Sequence, residues 1–275
     1  MPENTLVTIR DWLRYAVSQF KKNNLYFGHG TTNAYDEAVC LILQSLNLPI
    51  DQLEPYLEAK LLTDEKALLL DRIKERIEKR IPLAYITHEA WLQGYSFYVD
   101  PRVIIPRSFI AEIVLNDQLV PWVEHPELVH CALDLCTGNG SLATIVADYF
   151  YDAEVVASDI SDDALSVAEI NLKRNHLDDR VELVKSDLFK SLGDYLGAFD
   201  LIVTNPPYVD DRRMAALAPE YKYEPSLALS GGGGGLDLVD KILRQAKHYL
   251  SDVGILVLEM GDNRHELEDM YPDLN

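Results

Sequence analysis

Cysteine, basic charge and long apolar runs are the scarce features of this 275-residue chain. Its three cysteines, Cys40, Cys131 and Cys136, form no CxxC pair, and no two histidines have zinc spacing, so no metal or redox site is expected. No apolar run is long enough to cross a membrane. Together with a hydrophobic content of 48%, these features predict a cytoplasmic protein with a substantial core and no membrane contact.

The charge balance is strongly acidic, with 45 acidic residues against 25 basic ones and a net charge of −20. Such a chain repels the phosphate backbone of free nucleic acid, so no nucleic-acid partner is expected. It attracts a basic protein partner. An acidic surface that only keeps the protein soluble is the alternative interpretation, and the composition leaves both open.

The amino-terminal part of the chain has apolar residues at helical spacing. Three helices are predicted, and their apolar stripes comprise residues Leu6 to Phe20, Tyr35 to Leu46, and Leu69 to Ile77. The next segment, 91–106, is aromatic and β-branched and is interrupted by Gly and Pro, which predicts a β-hairpin between two domains. A helix is predicted from about 108 to 118.

Strands and helices alternate from Val129 onward, and this pattern is typical of a parallel sheet with helices on both faces. The predicted strands are 131–135, 153–158, 181–186, 201–204 and 254–259, and the predicted helices are 141–150, 161–175, 236–250 and 264–271. The fold class is therefore α/β with a doubly wound, Rossmann-like sheet. The predicted domains are a helical domain over 1–88, a hairpin linker over 89–108 and a sheet domain over 109–275.

Two segments near the carboxyl end carry further expectations. The run of five glycines at 231–235 predicts a mobile loop. A final helix at 264–271 without a following strand leaves a sheet edge uncovered, so a truncated carboxyl end is expected.

A glycine turn follows the first strand of the sheet domain. In the segment from Asp134 to Ala143, Gly138 and Gly140 let the backbone approach a ligand closely, next to Asp134 and Thr137. Turns of this form serve nicotinamide, flavin and adenosylmethionine cofactors alike, and an ordinary strand–helix turn is the alternative.

Single acidic residues end the next two strands. Asp159, which lies 21 residues after Gly138, can accept hydrogen bonds from both hydroxyls of a ribose, although it can also cap the helix near Ser161. Asp187 can accept from the amino group of an adenine, with an apolar neighbour against the ring, or can be a turn residue.

The tetrapeptide Asn205-Pro206-Pro207-Tyr208 follows the apolar run 199–204. Two prolines cannot continue a helix or pair in a central strand, so the chain leaves the sheet here at the carboxyl end of a strand. Open α/β sheets bind their ligands at this edge. A carboxamide, a stiff backbone with free carbonyls and an aromatic ring are suited to hold a planar NH2 group.

These motifs resemble the HemK-like protein glutamine methyltransferases, which are class I S-adenosylmethionine-dependent enzymes. The resemblance spans nearly the whole chain and includes the segments 26–31, 97–108 and 220–229. The hairpin exit Pro106-Arg107-Ser108 and the Gly28-His29-Gly30-Thr31 loop are most similar to the branch that acts on ribosomal protein L-three of the large subunit. Phe109 stands where that branch is expected to have proline.

The resemblance implies S-adenosylmethionine as cofactor and a basic ribosomal protein as substrate. It implies that the Asn205 side-chain oxygen and the Pro206 carbonyl accept the two N–H bonds of a substrate amide, and that Tyr208 shapes the slot. It places Asp134, Thr137, Gly138, Gly140, Asp159, Asp187 and Asn205 at the cofactor.

Other functions remain open at this point. A release-factor glutamine methyltransferase, a DNA or RNA amino-methyltransferase and a non-catalytic binding module are alternatives. The helical domain 1–88 is expected to recognise the substrate, and a domain that only packs beside the site is the alternative. The oligomeric state is not predicted.

Overall fold

A computed structural model describes residues 5–120, 122–123 and 125–272 of the chain. These residues form two compact units. The helical unit consists of the chain up to Ala90 together with Ala218–Tyr223, and the sheet unit consists of Trp91–Leu217 and the chain from Glu224 onward. No sequence pattern predicted that the short segment Ala218–Tyr223 belongs to the helical unit.

The helical unit contains the three predicted helices and one short helix that was not predicted: α1 (Ile9–Lys22), α2 (Ala34–Ser45), α3 (Thr63–Glu78) and α4 (Leu83–Thr87). Thr8 caps α1 in a capping box with Asp11, and the Asn33 side chain accepts from two backbone N–H groups at the start of α2. Trp12 and Phe20 are fully buried in the core between these helices.

A buried ion network crosses the helical unit. Arg76 in α3 donates to Glu37 over 2.6 Å, to Glu220 over 3.2 Å, and to the Tyr26 carbonyl over 2.7 Å. All three charged side chains are at most 3% exposed. Buried charges require such partners, so Glu220 fixes Ala218–Tyr223 to the helices.

The sheet unit begins with a two-stranded hairpin that starts at the boundary residue Ala90, and it continues with alternating strands and helices. The elements are β1 (Ala90–Leu92), β2 (Tyr95–Phe97), α5 (Ile110–Leu115), β3 (Cys131–Leu135), α6 (Ser141–Tyr149), β4 (Glu154–Asp159), α7 (Asp162–Arg174), β5 (Val181–Lys185), β6 (Phe199–Thr204), α8 (Asp211–Ala216), α9 (Asp237–Ala246), β7 (Leu250–Leu258) and α10 (Arg264–Met270).

Five parallel strands form the main sheet in the order β5-β4-β3-β6-β7. The chain runs outward from β3 to β5 on one side and then returns to place β6 on the other side. The carboxyl ends of β3 and β6 therefore lie at the point where the strand order reverses, which is where such sheets bind ligands.

Apolar side chains alternate between the two faces of this sheet, so two cores form. One core contains Ala132, Val155 and Val203 with residues of α5, α6 and α7. The other contains Leu133, Ile202 and Phe199 with Ile242 and Ala246 of α9. Helices thus cover both faces, which confirms the predicted doubly wound α/β fold.

Four predicted elements differ from the observed ones. The hairpin is shorter than the predicted segment 91–106, because the backbone after Phe97 bonds side chains instead of a strand: the Tyr98 and Ile105 N–H groups donate to Asn171 and Glu224. Helix α5 is shorter than predicted. Strand β7 begins earlier than predicted because Leu250 already pairs with Phe199, and this ends α9 at Ala246.

None of the helices in the described part of the chain is long and apolar enough to span a membrane.

Candidate active site

The carboxyl ends of the central strands are joined by hydrogen bonds beyond the regular ladder. The Thr204 hydroxyl donates to the Leu135 carbonyl over 2.7 Å. The Thr137 N–H donates to the Ser158 carbonyl, and the Glu259 N–H donates to the Thr204 carbonyl, each over 2.9 Å. The loops after β3, β4, β6 and β7 therefore start from one fixed edge.

The glycine turn after β3 is organised by a buried carboxylate. Asp134 is 0% exposed, and its Oδ2 accepts from the Thr137 hydroxyl over 2.6 Å and from the Ala143 N–H over 2.9 Å. Burial raises the pKa of Asp134 to about 7. Asp134 and Thr137 therefore stabilise the glycine turn through buried hydrogen bonds.

The two glycines of this turn have different tasks. Gly140 has φ +79°, and an added Cβ would lie 3.1 Å from the Ala168 Cβ of α7, so it permits close helix packing. Gly138 has φ +56°, and an added Cβ would have no neighbour within 4 Å. Gly138 faces the cavity described below.

Asp159 at the end of β4 lies beside this turn. Its carboxylate accepts from the Gly138 N–H over 2.9 Å and from the Ser161 N–H over 3.0 Å, while the N-cap of α7 is the Ser161 side chain. Burial is the main effect that raises the pKa of Asp159, and these backbone bonds oppose it. Asp187 after β5 is exposed and pairs with Lys190.

A cavity of about 350 Å³ opens at this edge of the sheet. Of the predicted site residues, Gly138, Asp159, Asp187 and Asn205 line it, whereas Asp134, Thr137, Gly140, Pro206 and Tyr208 do not. Apolar Ile160 and Leu188 flank the two acidic residues on the cavity wall. Ser158 also lines it, and its buried hydroxyl has no hydrogen-bond partner among the described residues.

The far wall of the cavity comes from segments that no sequence motif predicted. They are the hairpin exit, the loop after residue 224 and the start of α9, with Arg102, Ile104, Pro225, Leu227, Ala228, Ser230, Gly231, Gly232, Asp237, Leu238 and Lys241. In the sequence, the segment 220–229 carries only a family resemblance. Its bonding explains its position, since Glu224 pairs with Arg107 over 2.6 and 2.7 Å.

The tetrapeptide Asn205-Pro206-Pro207-Tyr208 leaves β6 as predicted. Asn205 is partly exposed, Pro206 is buried and Tyr208 is partly buried. The Asn205 carboxamide hydrogen-bonds no other residue in the described ranges, so both its polar atoms are available to a ligand. Burial raises the pKa of Tyr208, and the negative charge of Glu259 adds to this effect.

Glu259 lies beside the site, close enough for its charge to act on Tyr208, and sequence reasoning missed it. It follows β7, and its Oε2 accepts from the Ser108 hydroxyl and from the Phe109 N–H over 3.0 Å, so it caps the turn that leads into α5. Burial raises its pKa. An acidic residue directly after an apolar strand was the one signal that could have identified it, as it did for Asp159 and Asp187.

The described part of the chain contains no group of three or more His, Cys, Asp or Glu residues that could hold a metal ion.

Known proteins resemble this chain over nearly all of its length. A family model described as "Methyltransferase small domain" matches residues 118–221. A ribosomal protein uL3 glutamine methyltransferase of Neisseria gonorrhoeae is 54% identical over 98% of this chain and 89% of its own length. A protein of the same name from Burkholderia pseudomallei is 48% identical over 97% and 88%.

The chain belongs to the family of ribosomal protein uL3 glutamine methyltransferases. It is thus a member of a methyltransferase family, as the resemblance of its motifs implied. Among solved structures, a methyltransferase from Pyrococcus furiosus has a TM-score of 0.47 at 20% identity, over 77% of this chain and 85% of that one. That likeness is too distant to carry an argument.

Proposed function

We propose that this protein transfers a methyl group from S-adenosylmethionine to the side-chain amide nitrogen of a glutamine in ribosomal protein uL3. The single observation that carries the proposal is the position of Asn205. Its unpaired carboxamide stands at the carboxyl end of β6, on the wall of a cavity that the glycine turn and Asp159 also line. The high identity to uL3 glutamine methyltransferases supports the choice of substrate.

The residues of the cavity fit S-adenosylmethionine. Asp159 would accept from the ribose hydroxyls, and Asp187 from the adenine amino group, with Ile160 and Leu188 against the ring. Gly138 leaves open space where a side chain would stand, and the unpartnered Ser158 hydroxyl offers a further polar group. When bound, the cofactor supplies an electrophilic methyl on a sulfonium.

The chain's own task is then to place and polarise the amide. An amide nitrogen is a poor nucleophile because its lone pair is delocalised into the carbonyl. Two acceptors, the Asn205 side-chain oxygen and the Pro206 carbonyl, would hold its N–H bonds and favour the positive charge that develops on nitrogen. Tyr208 would close the slot and exclude water. Fixed acceptors of this kind need no reorganisation during the reaction.

The acidic chain suits a basic ribosomal protein and disfavours bare RNA. Transfer to such a partner belongs in the cytoplasm, where translation proteins are assembled. We assign part of the substrate recognition to the helical unit, and this assignment rests on the family resemblance.

Methyl transfer to purified proteins tests the proposal. The protein is incubated with S-adenosylmethionine that carries a labelled methyl group and with uL3, with a release factor, or with ribosomal RNA. We expect label in uL3 alone, and mass spectrometry should find one added methyl group on a single glutamine peptide. Label in RNA or in the release factor would overturn the substrate assignment.

The Asn205→Ala variant tests the site. A lost acceptor at a developing charge costs about 100- to 1,000-fold in kcat, because the interaction is strongest in the transition state. Cofactor affinity, measured by calorimetry, should be largely retained. If the variant turned over near the rate of the parent, Asn205 would have no such role.

A further inference from the structure

Tyr208 is enclosed by two glycine-containing loops that the proposed chemistry does not use. One loop is the glycine run 231–235, and the other follows β7 and contains Gly261 and Asn263. Both loops and the tetrapeptide lie in the sheet unit. Their glycines leave almost no free space against Tyr208.

Gly261 lies against the ring of Tyr208. A Cβ added at Gly261 would stand 3.0 Å from Cδ2 and 3.1 Å from Cε2 of that ring. Gly261 does not have the left-handed φ that other residues avoid, and it does not line the cavity. An alanine there would therefore act on the ring and would strain neither its own backbone nor the cofactor site.

Gly231 lies against the backbone of the tetrapeptide. A Cβ added there would stand 2.7 Å from the Tyr208 Cα, 2.9 Å from the Pro207 carbonyl oxygen and 2.6 Å from the Gly235 carbonyl oxygen. Distances below about 3 Å from Cβ to backbone do not occur in real structures without a shift of the chain. Only the absence of a side chain allows the two backbones to approach in this way.

Hydrogen bonds fix this close approach. The Val209 N–H donates to the Leu229 carbonyl, and the Gly231 N–H donates to the Val209 carbonyl, each over 2.9 Å, so Val209 and Ser230 form a short parallel bridge. The Asn263 amide donates to the Gly234 carbonyl over 3.1 Å. The glycine run is therefore tied at both ends, to Val209 directly after the tetrapeptide and to the loop after β7.

We propose that Gly231 and Gly261 are positioning residues that set the place of Pro207 and Tyr208 in the methyl-transfer slot. This deepens the proposed function and rests on it. The proposal distinguishes glycines within one short run, since Gly233 and Gly234 have no heavy atom within 4 Å of an added Cβ and no left-handed φ. Glycine is required at 231 and 261, whereas it is dispensable at 233.

The test uses three alanine variants that make the same chemical change. Gly231→Ala should lower kcat by about 10- to 100-fold, because its Cβ forces the two backbones apart and a displacement of about 1 Å in a positioned group costs up to about 100-fold in rate. Gly261→Ala should lower kcat less, by about threefold to tenfold, because the ring of Tyr208 need move only a few tenths of an ångström. Gly233→Ala should keep the kcat of the parent. Cofactor affinity should be unchanged in Gly261→Ala, and thermal denaturation checks that each variant folds.

A double-mutant cycle separates action through Tyr208 from general damage. In a Tyr208→Ala background the ring is absent, so Gly261→Ala should cost nothing further in kcat. An equal loss in both backgrounds would overturn the proposal. So would a Gly233→Ala variant that loses as much activity as Gly261→Ala.

A spectroscopic measurement decides the proposal without reference to activity. In protein with ring-labelled tyrosine, the Tyr208 signal is identified by its absence in Tyr208→Phe. This signal should shift in Gly261→Ala and stay in place in Gly233→Ala. A signal that stays in place in both variants would contradict the proposal. If the parent transfers no methyl group to uL3 while the Tyr208 signal shifts as expected, the proposed substrate fails and the positioning role stands.

Discussion

The helical unit and the sheet unit hold their key loops by opposite means. In the helical unit, full charges are buried, and Arg76 stands between the carboxylates of Glu37 and Glu220. In the sheet unit, the tetrapeptide after β6 is held by close contact with glycines, and Val209, which follows it, is held by neutral backbone bonds. Loss of one partner leaves a buried charge uncompensated, whereas the neutral contact surface is set by shape and responds to an added methyl group.

The two units also differ in net charge. The helical unit, residues 1–90 and 218–223, has 12 basic and 14 acidic residues and a net charge of −2. The sheet unit has 13 basic and 31 acidic residues and a net charge of −18. Almost the whole acidic excess lies in the unit that contains the candidate site, so attraction of a basic substrate should arise there.

The largest expected effect comes from breaking the ion network. Arg76→Met leaves Glu37 without its cation and leaves Glu220 with the partly exposed Arg80 alone, and loss of one partner of a buried pair costs about 3–5 kcal/mol of unfolding free energy. Urea denaturation measures this loss of unfolding free energy, with the fluorescence of buried Trp12 as the signal. The two other tryptophans, Trp91 and Trp122, are replaced by phenylalanine in all the proteins compared.

The control for this variant is Lys79→Met, which removes the exposed i,i+4 pair with Glu75 on the same helix. We expect its denaturation curve to overlay that of the parent. An Arg76→Met protein as stable as the Lys79→Met protein would show that the two units do not differ in the way described.

A smaller effect is expected from the carboxylate at the end of β4. Asp159→Ala should weaken the binding of S-adenosylmethionine by roughly 10- to 100-fold, because a hydrogen bond to a charged group contributes about 1.5–3 kcal/mol. Calorimetry measures it. Asp163→Ala removes the same charge from an exposed position on α7 and should leave the affinity unchanged. Equal affinities in the two variants would reject the ribose assignment.

The smallest expected effect concerns the charge difference between the units. Exposed charges separated by more than about 8 Å are largely screened at about 0.15 M salt. The value of kcat/KM for uL3 should therefore fall a few-fold as the salt concentration is raised to about 0.15 M and above, with little change in kcat. Reversal of two exposed charges on α10, Glu266→Lys with Asp269→Lys, should lower kcat/KM further.

The matched reversal on the helical unit is Asp51→Lys with Glu54→Lys, at two exposed positions. We expect it to have less effect than the α10 pair. If it had more, the basic partner would be attracted by the nearly neutral helical unit and not by the acidic sheet unit.

Much of the fold was predictable because it depends on local pattern. All five strands of the main sheet and the acidic or amide residues that follow them were identified from apolar runs with polar ends. The roles of Asp159, Asp187 and Asn205 at the cofactor and amide stay predictions, although the structure brings these residues to one cavity. The expected mobility of the glycine run also stays a prediction.

The remaining parts depend on long-range pairing that leaves no local pattern. Pro225 and Lys241 line the cavity because of tertiary bonds such as the one from Arg107 to Glu224. Neither the spacing nor the type of these residues predicts that they lie on the cavity wall. Glu220 could not be assigned to the helical unit, since its partner Arg76 lies 144 residues away. The Pro-containing segment after Phe97 imitates a strand in composition, yet its N–H groups bond to side chains.

The distance between Arg76 and Glu220 along the chain has a consequence for folding during synthesis. At about 5–20 residues per second, the ribosome produces Glu220 about 7 to 30 seconds after Arg76. Through this interval the nascent helices lack one of the two carboxylates that neutralise the guanidinium. The helical unit therefore reaches its final form only after four strands of the main sheet have been made, which couples the maturation of the earliest part of the polypeptide to that of its later part.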